Sequence, residues 1–200
     1  MSDFNIKVAT AAEAHFAEKI CQQMETSAAA RGTGIAKRSV TYISNKIIKE
    51  EAFIILKGPQ VAGFCYLESW SHERFIANSG LIIFPEYRGY GLATALKVFA
   101  FEESRKRYPH AKLFGLTTSH VVMNINSDLQ YRPVTYSQLT DSKEFWDGCR
   151  SCVNFETLKK KEFQNCLCTA MLFDPNRKRK SKEERENHES PPSSEPCGAE

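Results

Sequence analysis

The chain has 200 residues, a formal net charge of +3 at neutral pH, and 42% hydrophobic and 11% aromatic residues. That length suits one domain plus an appendage with a core that needs no disulfide staples, and so small a charge argues against a nucleic-acid partner. No segment has the apolar length to cross a bilayer, and Met1-Ser2-Asp3-Phe4-Asn5 lacks the basic start and apolar run of a signal peptide. A cytoplasmic protein with no membrane partner is expected, its seven cysteines being free thiols or metal ligands.

Residues Phe4 to Val8 alternate and predict a strand, and Thr10 is placed to cap a helix over Ala11 to Met24. Ala28 to Gly34 is a small-residue loop. A second helix over Ser39 to Lys49 carries Val40, Ile43, Ile47 and Ile48 along one stripe. Ala52 to Leu56 and Val61 to Glu68 are strands joined around Gly58-Pro59, a hairpin signal. Phe75 to Phe84 is a strand leading into a turn, and the helical pattern from Leu92 to Arg107 ends near Tyr108-Pro109. Lys112 to Thr118 is the next strand, Ser119 to Leu129 a short helix, and Tyr131 to Tyr136 another strand.

The turn at Pro85-Glu86-Tyr87-Arg88-Gly89-Tyr90-Gly91-Leu92-Ala93 is suited to an anion. Glycines let the backbone approach it closely, the amides at the start of a helix lack intrahelical acceptors, and Arg88 supplies a cation that binds phosphate oxygens bidentately. Neither a P-loop nor a dinucleotide fingerprint fits the stretch, and a plain strand-to-helix turn with Arg88 solvated is the bland reading.

The Arg-x-x-Gly-x-Ala spacing of Arg88, Gly91 and Ala93 resembles the coenzyme A loop of the GNAT acyltransferase superfamily, and the β-α-α-β-β-β-α-β-α-β order is similar to its topology. The resemblance implies an α/β fold with a mixed sheet and an acyl-CoA, by default acetyl-CoA, as co-substrate. The pyrophosphate would rest on Arg88, Gly89, Tyr90, Gly91, Leu92 and Ala93. The pantetheine arm would pair with the backbone of Leu81, Ile82, Ile83 and Phe84, and the thioester would lie in a splay before the Lys112 strand. A small-molecule amine would attack the thioester directly, which needs a proton acceptor, donors for the oxyanion and a proton for the thiolate.

Ala77 and Asn78 stand where many relatives carry a glutamate, and Asn126 where a thiolate-protonating tyrosine is often found. Glu68 and His120 are the nearest catalytic substitutes. Glu68 also reads as a solvated strand end and His120 as a structural histidine.

Leu116-Thr117-Thr118, Tyr131-Arg132-Pro133-Val134, and Gly34-Ile35 with Arg38-Ser39 resemble segments of the acetyltransferase domain of bacterial N-acetylglutamate synthases. That branch implies acetylation, or succinylation, of the α-amine of glutamate, as in arginine biosynthesis. Arg38 is the candidate for a substrate carboxylate, with Lys37, Thr117 and Thr118 beside it and Arg31 as a further cation; a solvated basic turn remains the alternative. Gln130 departs from the glycine of that pattern, the amino-acid kinase domain of many such enzymes is absent, and a homodimer is an open assembly. Acylation of another amine or a protein terminus, and a non-catalytic acyl-CoA-binding module, are the competing readings.

These segments divide the chain into an acyltransferase domain over 1–139, a cysteine-rich lobe packed on it over 140–175, and a charged tail over 176–200 expected to be disordered. In the lobe, a Cys149-x-x-Cys152 turn and a Cys166-x-Cys168 strand can bring four thiolates to a structural zinc, or else hold four free thiols. Cys21 and Cys65 read as core and Cys197 as tail.

Overall fold

The computed structural model describes residues 3–31 and 37–177. Gly32 to Gly34 of the expected loop, Ile35, the side chain of Arg31, the tail from 178 onward and Cys197 lie outside them. Strand β1 (Phe4–Val8) leads through a 3-10 turn (Ala11–Phe16) into helix α1 (Ala17–Arg31), followed by α2 (Val40–Ile48). The hairpin β2 (Ala52–Lys57) and β3 (Gln60–Trp70) and the strand β4 (Phe75–Ile83) precede α3 (Leu92–Arg107). Then come β5 (Lys112–Thr117), α4 (His120–Asp128), β6 (Arg132–Val134), the short helices α5 (Lys143–Asp147) and α6 (Phe155–Lys160), and β7 (Thr169–Phe173). The seven strands of the described residues form one sheet in the order β1-β2-β3-β4-β5-β7-β6, antiparallel except where β4 meets β5. Among the described residues no helix is long and apolar enough to cross a membrane.

Thr10 caps the 3-10 turn, with Glu13 Oε2 accepting from the Thr10 amide at 2.9 Å. The first helix then runs to Arg31, seven residues beyond the expected end at Met24, because Ser27-Ala28-Ala29-Ala30 is helix-permissive. Small residues there signal helix as well as they signal loop.

The α3 positions Leu92, Leu96, Ala100 and Ser104 recur every four residues and are all buried. The pleat of β3 fixes which helices cover which face. Cys65 faces Lys97 of α3, while its neighbour Tyr66 bonds to Arg38, just before α2. Consecutive strand residues point to opposite faces, so α3 and α2 flank the sheet on opposite sides.

Two irregularities shape the middle of the sheet. The β3–β4 register shifts between Phe64 and Tyr66, where Gly80 and Leu81 oppose Cys65, a bulge. Gly80 sits there at φ +65°, and an added methyl would collide with Tyr66 and Met24. Gly80→Ala is therefore expected to destabilise the fold by about 3 kcal/mol from left-handed strain and overpacking, read by urea denaturation. The second irregularity is the β4–β5 pairing, which covers only Phe75 to Ala77 against Lys112 to Phe114. Beyond it β4 stays with β3 and β5 pairs with β7, so the two parallel strands part and leave a cleft.

Two expectations for the C-terminal part need correction. Cys166 and Cys168 lie in a loop, and the strand begins after them at Thr169. That strand, β7, pairs with β5 from Leu113 to Thr117 and with β6, so a boundary at 139 would cut through the sheet. The stretch from Thr140 to Cys168 is better described as a long connection between neighbouring strands. It encloses a second small core of Ala77, Phe114, Tyr136, Leu139, Leu158, Ala170 and Leu172.

Candidate active site

At the C-terminal end of β4 the chain passes through a single 3-10 turn (Pro85–Tyr87) and then Gly89 at φ +87° and Gly91 at φ +72°, both left-handed. Gly91 is the N-cap of α3 and offers no side-chain acceptor. Among the described residues, the amides of Gly89 to Thr94 have no hydrogen-bond acceptor. They form the exposed, positively polarised mouth of a sixteen-residue helix.

Arg88 is exposed but anchored. Its Nε donates to the Ile83 carbonyl at 3.2 Å and its Nη2 to Ser27 Oγ at 3.1 Å, tying the loop to β4 and α1. Among the described residues no carboxylate forms an ion pair with it.

Ile82, Ile83 and Phe84 bury their side chains in the core, and Leu81 packs half-buried against it. Their side chains are thus turned away from a ligand. The Phe84 amide and carbonyl and the Ile83 carbonyl are already bonded to Ala62, Tyr87 and Arg88, so what the β4 edge offers toward the cleft is the remaining backbone from Leu81 to Ile83. Tyr90 is exposed and lies against Phe4, Leu92 is buried, and Ala93 is half-buried beneath the loop.

On the α2 face of the sheet, Glu68 is 4% exposed, so the reading as a solvated strand end is corrected. Oε1 accepts from Tyr42 Oη at 2.6 Å and from Arg38 Nη2 at 3.4 Å, and Oε2 accepts from Ser79 Oγ at 2.5 Å. Arg38 Nε also donates to Tyr66 Oη at 3.0 Å. Burial and the nearby Glu68 carboxylate push both the Tyr42 and Tyr66 hydroxyls up, so they stay protonated, Tyr42 donating to Glu68 and Tyr66 accepting from Arg38. Tyr42, Tyr66 and Ser79 are absent from the sequence reading. A signal existed: Arg38, just before the N-cap of α2, and Tyr42, in its first turn, are four apart, and Tyr66 and Glu68 are two apart on one face of β3.

The other expected residues do not join this network. Lys37 has an exposed side chain, and its backbone is what is engaged, the amide donating to Ser151 Oγ at 2.9 Å and the carbonyl accepting from Arg38 Nη1 at 3.5 Å. His120 is exposed at the first turn of α4, and its side chain makes no hydrogen bond among the described residues. Thr117 ends the β5 arm of the cleft, where its Oγ1 accepts from the Ser119 amide at 3.0 Å, and Thr118 is half-buried beside it. Asn126 is buried, with Nδ2 donating to Met171 Sδ and Oδ1 unpartnered.

The opposite face holds a buried cation. Lys97 donates to Asn78 Oδ1 at 3.4 Å, Tyr131 Oη donates to the same oxygen at 3.0 Å, and Asn78 Nδ2 donates to Ser104 Oγ. Among the described residues no carboxylate pairs with it, and burial pulls the Lys97 ammonium from 10.5 down to about 8. Between those values the folded chain binds fewer protons than the unfolded chain. Stability should rise as pH climbs from 8 to 10.5 and sit on its lower plateau below 8. Lys97→Met is expected to raise stability at neutral pH by about 2 kcal/mol and to flatten that rise, measured by urea denaturation across pH.

Cys149, Cys152, Cys166 and Cys168 line one small cavity of about 30 Å³ together with Leu116, Tyr136, Asn154, Phe155 and Leu158. Among the described residues, no three His, Cys, Asp or Glu side chains are gathered as a ready metal-ligand set. Burial and the neighbouring thiols push Cys149 to about 11 and Cys168 to about 12. Cys21 and Cys65 are buried in the main core.

No family model matches the chain, and no curated protein matches its sequence. Solved structures do match its fold. N-acetylglutamate synthase from Neisseria gonorrhoeae, crystallised with coenzyme A and N-acetyl-glutamate, superposes with a TM-score of 0.62 at 14% identity, over 87% of this chain and 35% of that one. The chain thus spans about a third of that enzyme's length. A Mycobacterium tuberculosis protein crystallised with coenzyme A superposes at 0.59 with 17% identity, over 85% of this chain and 98% of that one. Diaminobutyrate acetyltransferase from Paenibacillus lautus, crystallised with L-2,4-diaminobutyric acid and coenzyme A, gives 0.57 at 6% identity, over 89% and 98%. The fold is that of the GNAT acetyltransferases.

Proposed function

We propose that this chain is an acyl-CoA-dependent N-acyltransferase that transfers acetyl to the α-amine of a small acidic amino acid, glutamate first. The observation that carries the reading is the alignment of three features along β4: free amides at Gly89 to Thr94, an unpaired β4 edge beside the parting of β4 from β5, and a buried Arg38–Glu68 network at the bulge. Each matches one need of the reaction. The helix mouth and Arg88 take the pyrophosphate, the free β4 edge pairs with the pantetheine amides, and Arg38 offers a cation to the acceptor's carboxylate.

The reaction forms a bond between the amine nitrogen and the thioester carbonyl carbon and breaks the bond from that carbon to sulfur. Coenzyme A leaves as a thiolate and the amine loses one proton. Glu68 already takes three donors, so it acts through Ser79, whose hydroxyl bridges the bulge and the carboxylate. The amine's proton passes to Ser79 or a water and on toward Glu68. Neither His120, which is exposed, nor Asn126, which is packed on Met171, offers a placed donor for the thiolate, which is protonated from solvent.

The branch resemblance at Leu116 to Thr118 and at Tyr131 to Val134 favours glutamate and a place in arginine biosynthesis, in the cytoplasm. Acetyl is the default acyl group, with succinyl the alternative. Structural zinc in the cysteine cluster belongs to the same reading. A second reading, a non-catalytic acyl-CoA-binding module, draws on the missing thiolate donor.

Thiol release from acetyl-CoA and succinyl-CoA, measured against a panel of amino acids, tests the proposal. Turnover on glutamate that Arg38→Ala reduces mainly through KM supports it. Turnover only on amines without a carboxylate rejects the acidic acceptor, and coenzyme A binding without turnover on any amine favours the module.

A further inference from the structure

The connection between β6 and β7 approaches the acceptor side of the cleft at one place. Ser151 Oγ accepts the Lys37 amide at 2.9 Å, and Gly148 backs the Arg38 guanidinium so closely that an added methyl would lie 3.6 Å from Nη2. Both residues belong to the 3-10 turn Gly148–Ser151, which carries Cys149 and is closed by Cys152. The wall that steadies Arg38 is therefore held by two cysteines.

Those two face two more across the same cavity. Cys166 and Cys168 arrive on the loop before β7, and Cys166 Sγ donates to the Asn154 carbonyl at 3.8 Å. The Cys152 amide donates to the Cys149 carbonyl at 2.9 Å, and the Asn154 amide donates to Cys152 Sγ at 3.5 Å. An amide directed at a cysteine sulfur stabilises a thiolate there, as the outer shell of a metal site does. The rest of the wall, Leu116, Tyr136, Phe155 and Leu158, is apolar apart from the Tyr136 hydroxyl, which is satisfied by the Cys168 carbonyl. Among the described residues no three of the sulfurs are gathered as they stand, but each cysteine has three staggered positions for its sulfur, and all four residues line the cavity.

We propose that Cys149, Cys152, Cys166 and Cys168 bind one zinc ion, and that this ion fixes the Gly148–Cys152 turn against Lys37 and Arg38, so that zinc loading orders the acceptor side of the cleft. Four thiolates suit tetrahedral zinc and leave no open position, which makes the site structural. Binding replaces four S–H bonds by four S–Zn bonds and releases four protons to solvent. The part concerning Arg38 rests on the acyltransferase reading; the zinc site does not.

The test uses the full chain grown with zinc and purified without chelator. One zinc per chain is expected, with loss of that zinc in the Cys149→Ser/Cys152→Ser double variant. Cobalt(II) in its place should give the intense visible bands of a tetrahedral thiolate site. A folded, metal-free chain in which all four thiols react freely with a disulfide reagent, and which takes up neither zinc nor cobalt, overturns the site. For the coupling, hydrogen exchange at the Lys37 amide should accelerate at least tenfold when a chelator strips the metal, a readout that needs no activity. Unchanged Lys37 exchange overturns the coupling. Absence of acyl transfer with one bound zinc counts against the acyltransferase reading alone.

Discussion

Glu68→Ala is expected to cost about 3 kcal/mol of folding stability, a large loss for one side chain. The carboxylate is almost wholly buried and receives Tyr42, Arg38 and Ser79. Removing it leaves the Arg38 guanidinium, whose side chain is only 18% exposed, without its carboxylate, and two hydroxyls without their acceptor. The residual exposure of Arg38 keeps the cost at the lower end of the range for broken buried pairs. Glu68→Gln keeps the volume and one acceptor oxygen and should cost less than half as much. A double-mutant cycle with Arg38→Ala isolates the pair, and a coupling of about 1–3 kcal/mol is expected from urea denaturation. A coupling near zero would mean that the two groups are held independently by the tyrosines.

Arg88→Ala is expected to weaken coenzyme A binding by about 10- to 100-fold, the effect of losing one or two charge-assisted hydrogen bonds to phosphate. Its effect on stability should be small, because Arg88 is exposed and its protein partners are a hydroxyl and a carbonyl. Arg88→Lys should recover only part of the affinity, since a single ammonium nitrogen cannot reproduce the separate nitrogens with which the guanidinium reaches Ile83 and Ser27 while presenting others to a phosphate. Calorimetric titration separates the variants. Wild-type affinity in Arg88→Ala would show that the loop does not hold the phosphates.

Much of the fold is legible from local pattern. The bounds of α3 follow from its apolar spacing and from Pro109, and β2 and β3 follow from their apolar runs around Gly58-Pro59. The anion loop is legible for the same reason, since its glycines, its arginine and the helix start lie within a few residues. Strand β7 is not. Its five residues follow directly on Cys166-x-Cys168, and its place between β5 and β6 depends on a long connection whose return path no local signal gives. The Glu68 network fails to show for a related reason. Arg38, Tyr42 and Ser79 reach it from other elements, and only the bulge at Gly80 and the packing of α2 bring them together. Lys37 and His120 looked eligible by residue type, and nothing in the sequence separates an exposed neighbour from a buried partner.

Amide chemical shifts of the full chain, followed during titration with acetyl-CoA, bear most directly on the claim that the mouth of α3 and the free edge of β4 form an acyl-CoA site. The account predicts the largest changes at Gly89, Gly91, Leu92 and Ala93, with a second group along Leu81 to Ile83 that pantetheine alone reproduces. Saturable binding that leaves Gly89 to Ala93 unmoved would contradict it.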